Sequence, residues 1–433
     1  PPTNQQRMTD EWARYLYQTD VGSPTGKQNI STYTIDVFNA KQDADQTALL
    51  MSMARAGGGK YFSANNEGQI ISALKQIMSE IQAVNTVFAS ASLPVNATNR
   101  AQNENQVFIG MFRPDPAASP RWYGNVKRYQ LANFSGVIDL ADVNGRQAVN
   151  LQTGFVSECA TSWWTSDSGS YWQSIPNNPP AQGTCTTGSY GAWSDSPDGP
   201  LVEKGATAEV IRKGNNPPTT DGAPTWAPNR NVKTLSGTTF VDFTAASTGL
   251  DATLVDFIVG KDVNDENANG LTTTETRPSL HGDVIHSRPL PVNYATAANL
   301  TAGVTVYYGA NDGTLRAMNA SNGKERWAFV APEFLSRLSR LKDNSPLVRF
   351  PNQPIGITPT PTPKNYYWDG SVGVYQTLDN SSVWIYPTMR RGGRMLYGLD
   401  VTTPDSPTVL WKKGCPNLTV DSDCTTALSG IGQ

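Results

Sequence analysis

Residues 304–330, VTVYYGANDGTLRAMNASNGKERWAFV, decide the fold of the C-terminal part of this chain. Asp312-Gly313 and Asn322-Gly323 divide this stretch, and Asp-Gly and Asn-Gly pairs between apolar runs are strong signals for tight hairpin turns. The runs on either side of the turns are rich in β-branched, aromatic and alternating apolar residues, as in β-strands. The stretch therefore predicts three consecutive strands, at 304–310, 314–320 and 325–330.

A looser copy of this pattern follows further along the chain. Residues 394–401 form an apolar run that leads through a Pro/Asp turn to a second run at 409–412, and each copy carries a Trp in its last strand, Trp327 or Trp411. Four-stranded sheets repeated around an axis form a β-propeller. We expect residues 280–433 to start such a propeller, with inserts because the copies are too far apart for one bare blade.

The N-terminal region, residues 1–85, has a different pattern. Apolar residues recur at helical spacing in two segments, and each segment follows a short β-branched or aromatic run. Strand, helix, strand and helix in this order are the closing half of a doubly wound α/β sheet. The predicted elements are a strand at 33–38, a helix at 45–56, a strand at 60–62 and a helix at 67–84.

Residues 86–279 are expected to form a β-rich, loop-rich connecting region. Within it, residues 155–235 are rich in Pro and Trp and are predicted to be irregular. A disulfide and the aromatic side chains could order this segment, and we expect its tryptophans to pack inside rather than to stack on a sugar or host ligand. Strand patterns precede it at 86–89, 106–112, 122–129 and 136–140.

The composition argues against several partners and predicts no membrane span. The net charge of the 433 residues is −3, only 16% of them are charged, and no stripe of Lys and Arg occurs, which argues against nucleic acid and anionic membrane surfaces. No apolar run of about 18 residues is present, so no membrane span is predicted. Because the chain begins with Pro1, we expect a slice of a longer, processed protein.

The four cysteines fall into two local pairs, Cys159 with Cys185 and Cys415 with Cys424. Neither pair has the C-x-x-C spacing of a zinc site, and the two histidines are far from both. We expect two disulfides, each contributing roughly 3 kcal/mol in the chain-entropy description, and therefore an oxidising compartment. Four unpaired thiols are the alternative.

Residues 265–275, DENANGLTTTE, resemble a calcium-binding loop. Oxygen-bearing side chains occupy positions one, three and five, and Gly occupies position six. A calcium loop needs this spacing, because alternate side chains converge on one ion while Gly allows the sharp turn. The match is partial, since the Glu expected at position twelve comes one residue early, and a polar linker between domains is the alternative. The candidate Ca²⁺ ligands are Asp262, Asp265, Asn267, Asn269, Leu271 through its carbonyl, Thr273 and Glu275.

Catalysis has no visible basis in the sequence. His281 and His286 are the only histidines, and in an extended segment a separation of five residues places them on opposite faces, so they cannot chelate one ion together. No third histidine and no nucleophile motif accompanies them. We expect both histidines to be structural and the protein not to be an enzyme.

Several of these motifs together resemble one family. The first stretch, with its Asn322-Gly323-Lys324 turn and Trp327, resembles a blade of a quinoprotein-type propeller. Residues 279–289, SLHGDVIHSRP, resemble the lead-in to the propeller of PilY/PilC-type proteins of type IV pili, and the N-terminal pattern resembles the end of the von Willebrand factor A domain that precedes it. Trp122-Tyr123-Gly124-Asn125 and residues 399–401 followed by Trp411 fit the same family in the same order. The resemblance implies a mixed, mainly β fold.

The resemblance also implies a function. Members of this family are secreted through the periplasm and outer membrane to the bacterial cell surface, at the tip of the type IV pilus (fimbrium). They support pilus assembly, contact minor pilins or pilin-like subunits, and adhere to host-cell or abiotic surface receptors, in some members under the control of calcium. The Asp-x-Ser-x-Ser metal-binding loop of the A domain does not occur in this sequence, so no adhesion-site metal ligands are expected here.

Two other functions stay open at this point. The propeller blade could belong to a quinone-dependent dehydrogenase, and the composition also suits an extracellular structural protein. Further quinoprotein blades without an A domain would favour the enzyme. A secretion signal with Asp-x-Ser-x-Ser upstream would favour the pilus protein.

Overall fold

The chain folds into two compact units, Pro1–Gln82 and Ala83–Gln433. The computed structural model describes residues 8–19, 29–74, 77, 90–92, 105–115, 117–150, 156–175, 179, 193–214, 230–295, 303–350 and 356–425. The architecture is mixed and mainly β, as the sequence predicts. None of the described helices is long and apolar enough to cross a membrane.

The first unit contains two parallel strands joined by a helix. Strands β1 and β2 pair in parallel, with Ile35 opposite Phe62. The carboxylate of Asp43 caps the connecting helix α2 by accepting a hydrogen bond from the Gln46 amide at 2.8 Å, which satisfies an amide that the helix leaves unpaired. The predicted order is confirmed up to residue 74, and the remainder of the helix predicted at 67–84 is described only at residue 77. The elements are α1 (Thr9–Gln18), β1 (Thr32–Val37), α2 (Ala44–Ala56), β2 (Gly58–Ala64) and α3 (67–74).

The second unit begins with a four-stranded antiparallel meander, here called sheet A. Its strands follow one another in the order β3-β4-β5-β6, and the longest pairing joins β4 to β5, from Gln106 opposite Gln130 to Arg113 opposite Tyr123. The predicted strands from residue 106 onward are confirmed, and the one at 86–89 lies outside the described residues. The strands are β3 (Ser90–Ser92), β4 (Gln106–Arg113), β5 (Tyr123–Phe134) and β6 (Val137–Ala141).

Sheet B contains the three strands that the sequence predicts within residues 304–330. It has six strands in the order β8-β7-β12-β11-β10-β9, all antiparallel except that β7 and β12 run parallel. Gly313 and Gly323 have φ angles of +97° and +71°, which shows why both turns carry glycine. The predicted three strands are confirmed. The bounds are β7 (Val232–Ser236), β8 (Thr239–Asp242), β9 (Leu290–Asn293), β10 (Val304–Gly309), β11 (Leu315–Asn319) and β12 (Glu325–Phe329).

Sheet C is a second four-stranded antiparallel meander, in the order β13-β14-β15-β16. Its last two strands correspond to the looser sequence copy, whereas β13 and β14 are not predicted. The segment between sheets B and C holds a 3₁₀ helix at Pro332–Arg337 and the short helix α7 (Ser339–Asp343), which is the expected insert. The strands are β13 (Val372–Gln376), β14 (Val383–Pro387), β15 (Arg394–Asp400) and β16 (Thr408–Cys415).

The core of the second unit lies between successive sheets. Sheet A packs on sheet B through Phe108 and Val126, which contact apolar residues of β10 and β11. Sheet B packs on sheet C around Phe329, whose ring centroid lies 5.5 Å from that of Trp368 and 5.6 Å from that of Tyr397. Aromatic pairs at these separations contribute roughly 0.5–1.5 kcal/mol each beyond the area that they bury.

The prediction that residues 155–235 are wholly irregular is wrong. Helix α4 (Ala206–Lys213) and strand β7 fall in this segment. One buried ion pair fastens the segment to sheet A, and a second joins two parts of the segment itself. The Lys127 ammonium contacts Asp198 at 2.7 Å with both side chains fully buried, and Arg212 contacts Asp195 at 2.6 Å. Trp172 is fully buried and donates to Asp195 at 3.1 Å, as the packing interpretation expects. Two further helices, α5 (Ala245–Thr248) and α6 (Ala252–Val259), follow β8.

Candidate functional site

The proposed calcium loop is a closed loop that begins directly after helix α6. The helix ends at Gly260, whose φ of +119° is left-handed, and the chain then turns away. The Asp262 amide donates to the Glu275 carbonyl at 3.0 Å, and the amide of Arg277 donates to the carbonyl of Gly260 at 3.0 Å. These bonds hold the two ends of the loop together, so the side chains at its start and end lie close in space.

The first half of the loop folds around the carboxylate of Asp265. This carboxylate accepts hydrogen bonds from the backbone amides of Asn269 at 2.9 Å and Gly270 at 3.1 Å. Asp265, Ala268 and Gly270 all have positive φ angles, +50°, +57° and +81°. The turn is therefore tight, and glycine at position six meets the backbone requirement that the sequence pattern implies.

The carboxylate of Glu275 lies at the centre of the predicted ligands. Its two oxygens accept hydrogen bonds from the amide groups of Asn267 at 2.6 Å and Asn269 at 2.7 Å. The side-chain oxygen Oδ1 of Asn267 is buried and has no hydrogen-bond partner within the described ranges. An unpaired buried oxygen costs free energy that a bound cation would offset, so this donor set fits Ca²⁺, which prefers carboxylate and amide oxygens.

Negative charge accumulates at the base of the loop. Asp262 is fully buried, and its carboxylate accepts from the Glu266 amide at 2.9 Å. Burial raises the pKa of Asp262 to about 6; Arg277 opposes this shift, while the charges of Asp265 and Glu275 add to it. A cation bound between these carboxylates would relieve both the burial and the repulsion.

The remaining predicted ligands lie at the exposed end of the loop. Leu271 is 40% exposed and its amide donates to the side-chain oxygen of Asn269 at 2.9 Å, and Thr273 is exposed. The acidic side chains of the loop do not come within 4.8 Å of one another as a group of three. Over the described ranges, three His, Cys or acidic side chains approach that closely at Cys415, Asp421 and Cys424, where both sulfurs belong to a disulfide.

Glu266, which is not among the predicted ligands, anchors the loop to its surroundings. Its carboxylate forms an ion pair with Arg121, just before β5, and accepts from the Ser279 hydroxyl at 2.8 Å and the Ser279 amide at 3.1 Å. Asn264 also donates to the carbonyl of Lys342 in α7 at 2.6 Å. The spacing of the motif does contain a signal for this contact. Because the side chains alternate, the residue at position two must point away from those at positions one and three.

The disulfide predicted between Cys415 and Cys424 is present, with a Cα–Cα distance of 4.0 Å. Cys159 also takes part in a disulfide. Cys185 lies outside the described residues, so its pairing with Cys159 stays a prediction.

The two histidines lie in different surroundings. His281 is buried; its Nδ1–H donates to the carbonyl of Gly282 at 2.9 Å, and its Nε2 accepts from the Tyr308 hydroxyl at 2.9 Å. Burial, with a smaller effect from the charge of Arg316, lowers the pKa of His281 to about 3. His286 contacts Asp369 at 2.8 Å and is 27% exposed. His281 therefore has a packing role, whereas His286 reaches the surface.

Comparison with known proteins identifies similar sequences. A protein of Xylella fastidiosa described as a type IV pilus biogenesis factor PilY1 homolog is 29% identical over 218 residues, which are 44% of this chain and 16% of that protein. The type IV pilus biogenesis factor PilY1 of Pseudomonas aeruginosa is 28% identical over 177 residues, 36% of this chain and 14% of that protein. No family model matches the chain. The resemblance to the PilY/PilC family is confirmed, and the chain spans less than a fifth of the length of these relatives.

Among solved structures, the chain is similar to the crystal structure of the P. aeruginosa PilY1 C-terminal domain. The sequence identity is 25%, the match covers 27% of this chain and 19% of that chain, and the TM-score is 0.18.

Proposed function

We propose that this chain is part of a secreted type IV pilus protein that supports pilus assembly and adhesion at the pilus tip. The observation that carries the proposal is the sequence match to two PilY1-type proteins, both named as pilus biogenesis factors. Neither is named as an enzyme, so the quinone-dependent dehydrogenase has no support from these relatives. The partners that we propose are minor pilins or pilin-like subunits and a receptor on a host cell or abiotic surface.

The order of the structural units along the chain supports this proposal. The first unit, with parallel strands joined by a helix, suits the end of a von Willebrand factor A domain. In the second unit, β9–β12 and β13–β16 are two antiparallel meanders of four strands each. We assign these meanders to the first two blades of a propeller, because each blade of a propeller is such a sheet. The insert between them accounts for the long spacing of the two sequence copies.

The proposed function includes Ca²⁺ binding at residues 262–275. Asp262, Asp265, Asn267, Asn269 and Glu275 would hold the ion, and Leu271 and Thr273 would complete its ligands. Bound calcium supplies positive charge at the place where buried carboxylates repel one another. Side chains of the loop maintain its shape. Glu275 orients the side-chain amides of Asn267 and Asn269, and Asp265 holds the turn closed.

Calorimetry with CaCl₂ on the whole chain tests the metal site. The wild type should bind one Ca²⁺ at this loop, and both Asp265→Ala and Glu275→Gln should weaken binding at least tenfold because each removes a charged ligand. Asp242→Asn is the matched control, since Asp242 is an exposed carboxylate that pairs with Lys233. Equal affinity in all four proteins would show that calcium binds elsewhere or not at all.

A deletion strain tests the cellular function. We expect loss of surface pili and of adhesion, and recovery of both when the full-length wild-type gene is restored. Restoring the Asp265→Ala gene should leave a defect in pilus number or adhesion, whereas the Asp242→Asn gene should complement fully. Normal piliation and adhesion in the deletion strain would refute the pilus function, irrespective of the calorimetric result.

A further inference from the structure

Several basic side chains lie close to Tyr366, in the insert that precedes β13. The guanidinium carbon of Arg391 lies 5.5 Å from the centroid of the Tyr366 ring, and its Nη1 is 3.5 Å from the Tyr366 hydroxyl. Lys364 and His286 approach the same ring, at 6.0 Å from the ammonium nitrogen and 6.4 Å between ring centroids. Tyr366 thus lies among three basic side chains. These three residues, Tyr366 itself and Arg337, which contacts the Tyr366 carbonyl, are here called the Tyr366 cluster.

The charges of this cluster are only partly neutralised. Lys364 pairs with Asp283 at 3.0 Å and His286 with Asp369 at 2.8 Å. By contrast, no carboxylate of the described residues lies within 4.0 Å of the guanidinium groups of Arg337, Arg390 or Arg391. Burial also lowers the pKa of Arg337, because its charge is partly removed from water without a counter-ion. Arg391 and Arg337 therefore bring positive charge close to Tyr366 that no carboxylate of the described residues pairs with.

Backbone contacts hold Arg337, and the segment that carries Arg391, in place. Arg337 donates to the carbonyl of Tyr366 at 3.2 Å and to the carbonyl of Gly392 at 2.6 Å, so it ties the β14–β15 connection to the insert. Gly392 packs so closely on the Tyr367 carbonyl that a Cβ atom could not be accommodated. Arg390, which is exposed, has a left-handed φ of +47°. Such a backbone conformation in a residue other than glycine costs energy and persists only where the surroundings enforce it.

Two further groups of the cluster can take part in binding. The Nδ1 atom of His286 is committed to Asp369, and in the described part of the chain no hydrogen bond engages its Nε2. The hydroxyl of Tyr366 lies at the edge of the ring that Arg391 covers. Guanidinium, imidazole and hydroxyl donors close to one ring form a set that suits the two or three oxygens of a carboxylate or phosphate.

We propose that the Tyr366 cluster binds an oxyanion, a carboxylate or phosphate group of a partner molecule, with Arg391 as the main contact. Arg391 would face the anion in the planar, two-pronged manner that distinguishes arginine from lysine. Arg337 acts as a positioning residue, because its hydrogen bonds hold the segment that carries Arg391. This site is separate from the calcium loop, and the proposal does not depend on the pilus function.

Calorimetric titrations of the whole chain with sodium phosphate and sodium citrate, at constant ionic strength set by NaCl, test the proposal. Saturable binding of either anion is expected; phosphate binding alone would assign the site to phosphate groups, and citrate binding alone to carboxylates. Arg391→Gln should weaken binding at least fivefold, and Arg391→Lys should fall between Arg391→Gln and the wild type because it keeps the charge without the paired donors.

Arg394→Gln is the matched control. Arg394 is an exposed arginine close by in sequence, but it already pairs with Asp421, so its loss should leave anion affinity unchanged. Circular dichroism and thermal unfolding of each variant check that it folds. Equal binding by the wild type and Arg391→Gln would overturn the proposal, as would an equal effect of Arg394→Gln or the absence of saturable binding.

Discussion

Acidification should destabilise the second unit through His281, which is 2% exposed. Its pKa is about 3 in the folded protein against an ordinary value of 6.5, mainly because burial disfavours the charged imidazolium. The folded-state pKa is depressed, so below pH 6.5 the unfolded chain binds a proton that the folded chain does not. The stabilisation is therefore complete above pH 6.5 and is lost progressively as the pH falls towards 3.

The size of this effect follows from the shift. Each pH unit in this window changes the free energy of unfolding by about 1.4 kcal/mol, so pH 5 costs about 2 kcal/mol relative to pH 7.5. His281→Gln removes the titrating group. Its destabilisation relative to the wild type should therefore be about 2 kcal/mol smaller at pH 5 than at pH 7.5, even if the variant is weaker at both.

Urea unfolding followed by tryptophan fluorescence measures this difference. Ten of the eleven tryptophans lie in the second unit, since only Trp12 belongs to the first, so the signal reports mainly on the unit that contains His281. His286→Gln is the control, because it removes an imidazole that is 27% exposed. It separates the effect of burial from the effect of losing an imidazole. A penalty for His281→Gln that is the same at both pH values, within about 0.5 kcal/mol, would refute the reasoning.

Two further substitutions test the packing of the sheets. Gly309→Ala should cost at least about 3 kcal/mol in urea unfolding, because the new Cβ would collide with the backbone of Trp368. Gly373→Ala is the control, because the nearest atom to its new Cβ would be 3.6 Å away, and it should change stability by less than about 1 kcal/mol. Similar costs at both sites would contradict the close packing of Gly309 on Trp368. Replacing Cys415 and Cys424 together by Ser should lower the unfolding free energy by about 2–3 kcal/mol, since a disulfide across 9 residues restricts the unfolded chain. Reductant should lower the unfolding free energy of the wild type by at least as much, since it also opens the disulfide of Cys159. An unchanged midpoint in both experiments would show that the Cys415–Cys424 bond is not stabilising.

Local signals in the sequence predict those parts of the fold that depend on neighbouring residues. Asp312-Gly313 and Asn322-Gly323 turn where the sequence predicts, because the left-handed backbone there needs glycine. Strand β13, Val372–Gln376, is missed because most of its residues are exposed, including an interior glycine, so the pattern gives no buried face to recognise.

The order of residues 193–214 could not be predicted from local patterns, because distant residues supply it. Lys127 and Asp198 are 71 positions apart in the chain, yet their buried ion pair fixes this segment on sheet A, where Lys127 also donates to the Leu201 carbonyl at 2.7 Å. Burying a charge is costly unless it is paired and hydrogen-bonded. Such a pair is visible only when the fold brings its partners together, and a Pro- and Trp-rich sequence around it resembles an irregular loop.

The proposed calcium loop shows the same division between local and distant causes. The positions that face inward, such as Asn267 and Asn269, follow from the spacing of the motif and meet at Glu275. The outward position two also carries a carboxylate, Glu266, and its partner Arg121 lies far away in sequence. The carboxylate of Asp265 fixes the turn directly before Glu266. A change in the position of that carboxylate would therefore displace the ion pair between Glu266 and Arg121, which lies two residues before β5. The ion pair between Glu266 and Arg121 therefore connects the proposed ligand side chains to the start of β5, and that connection requires both faces of the motif.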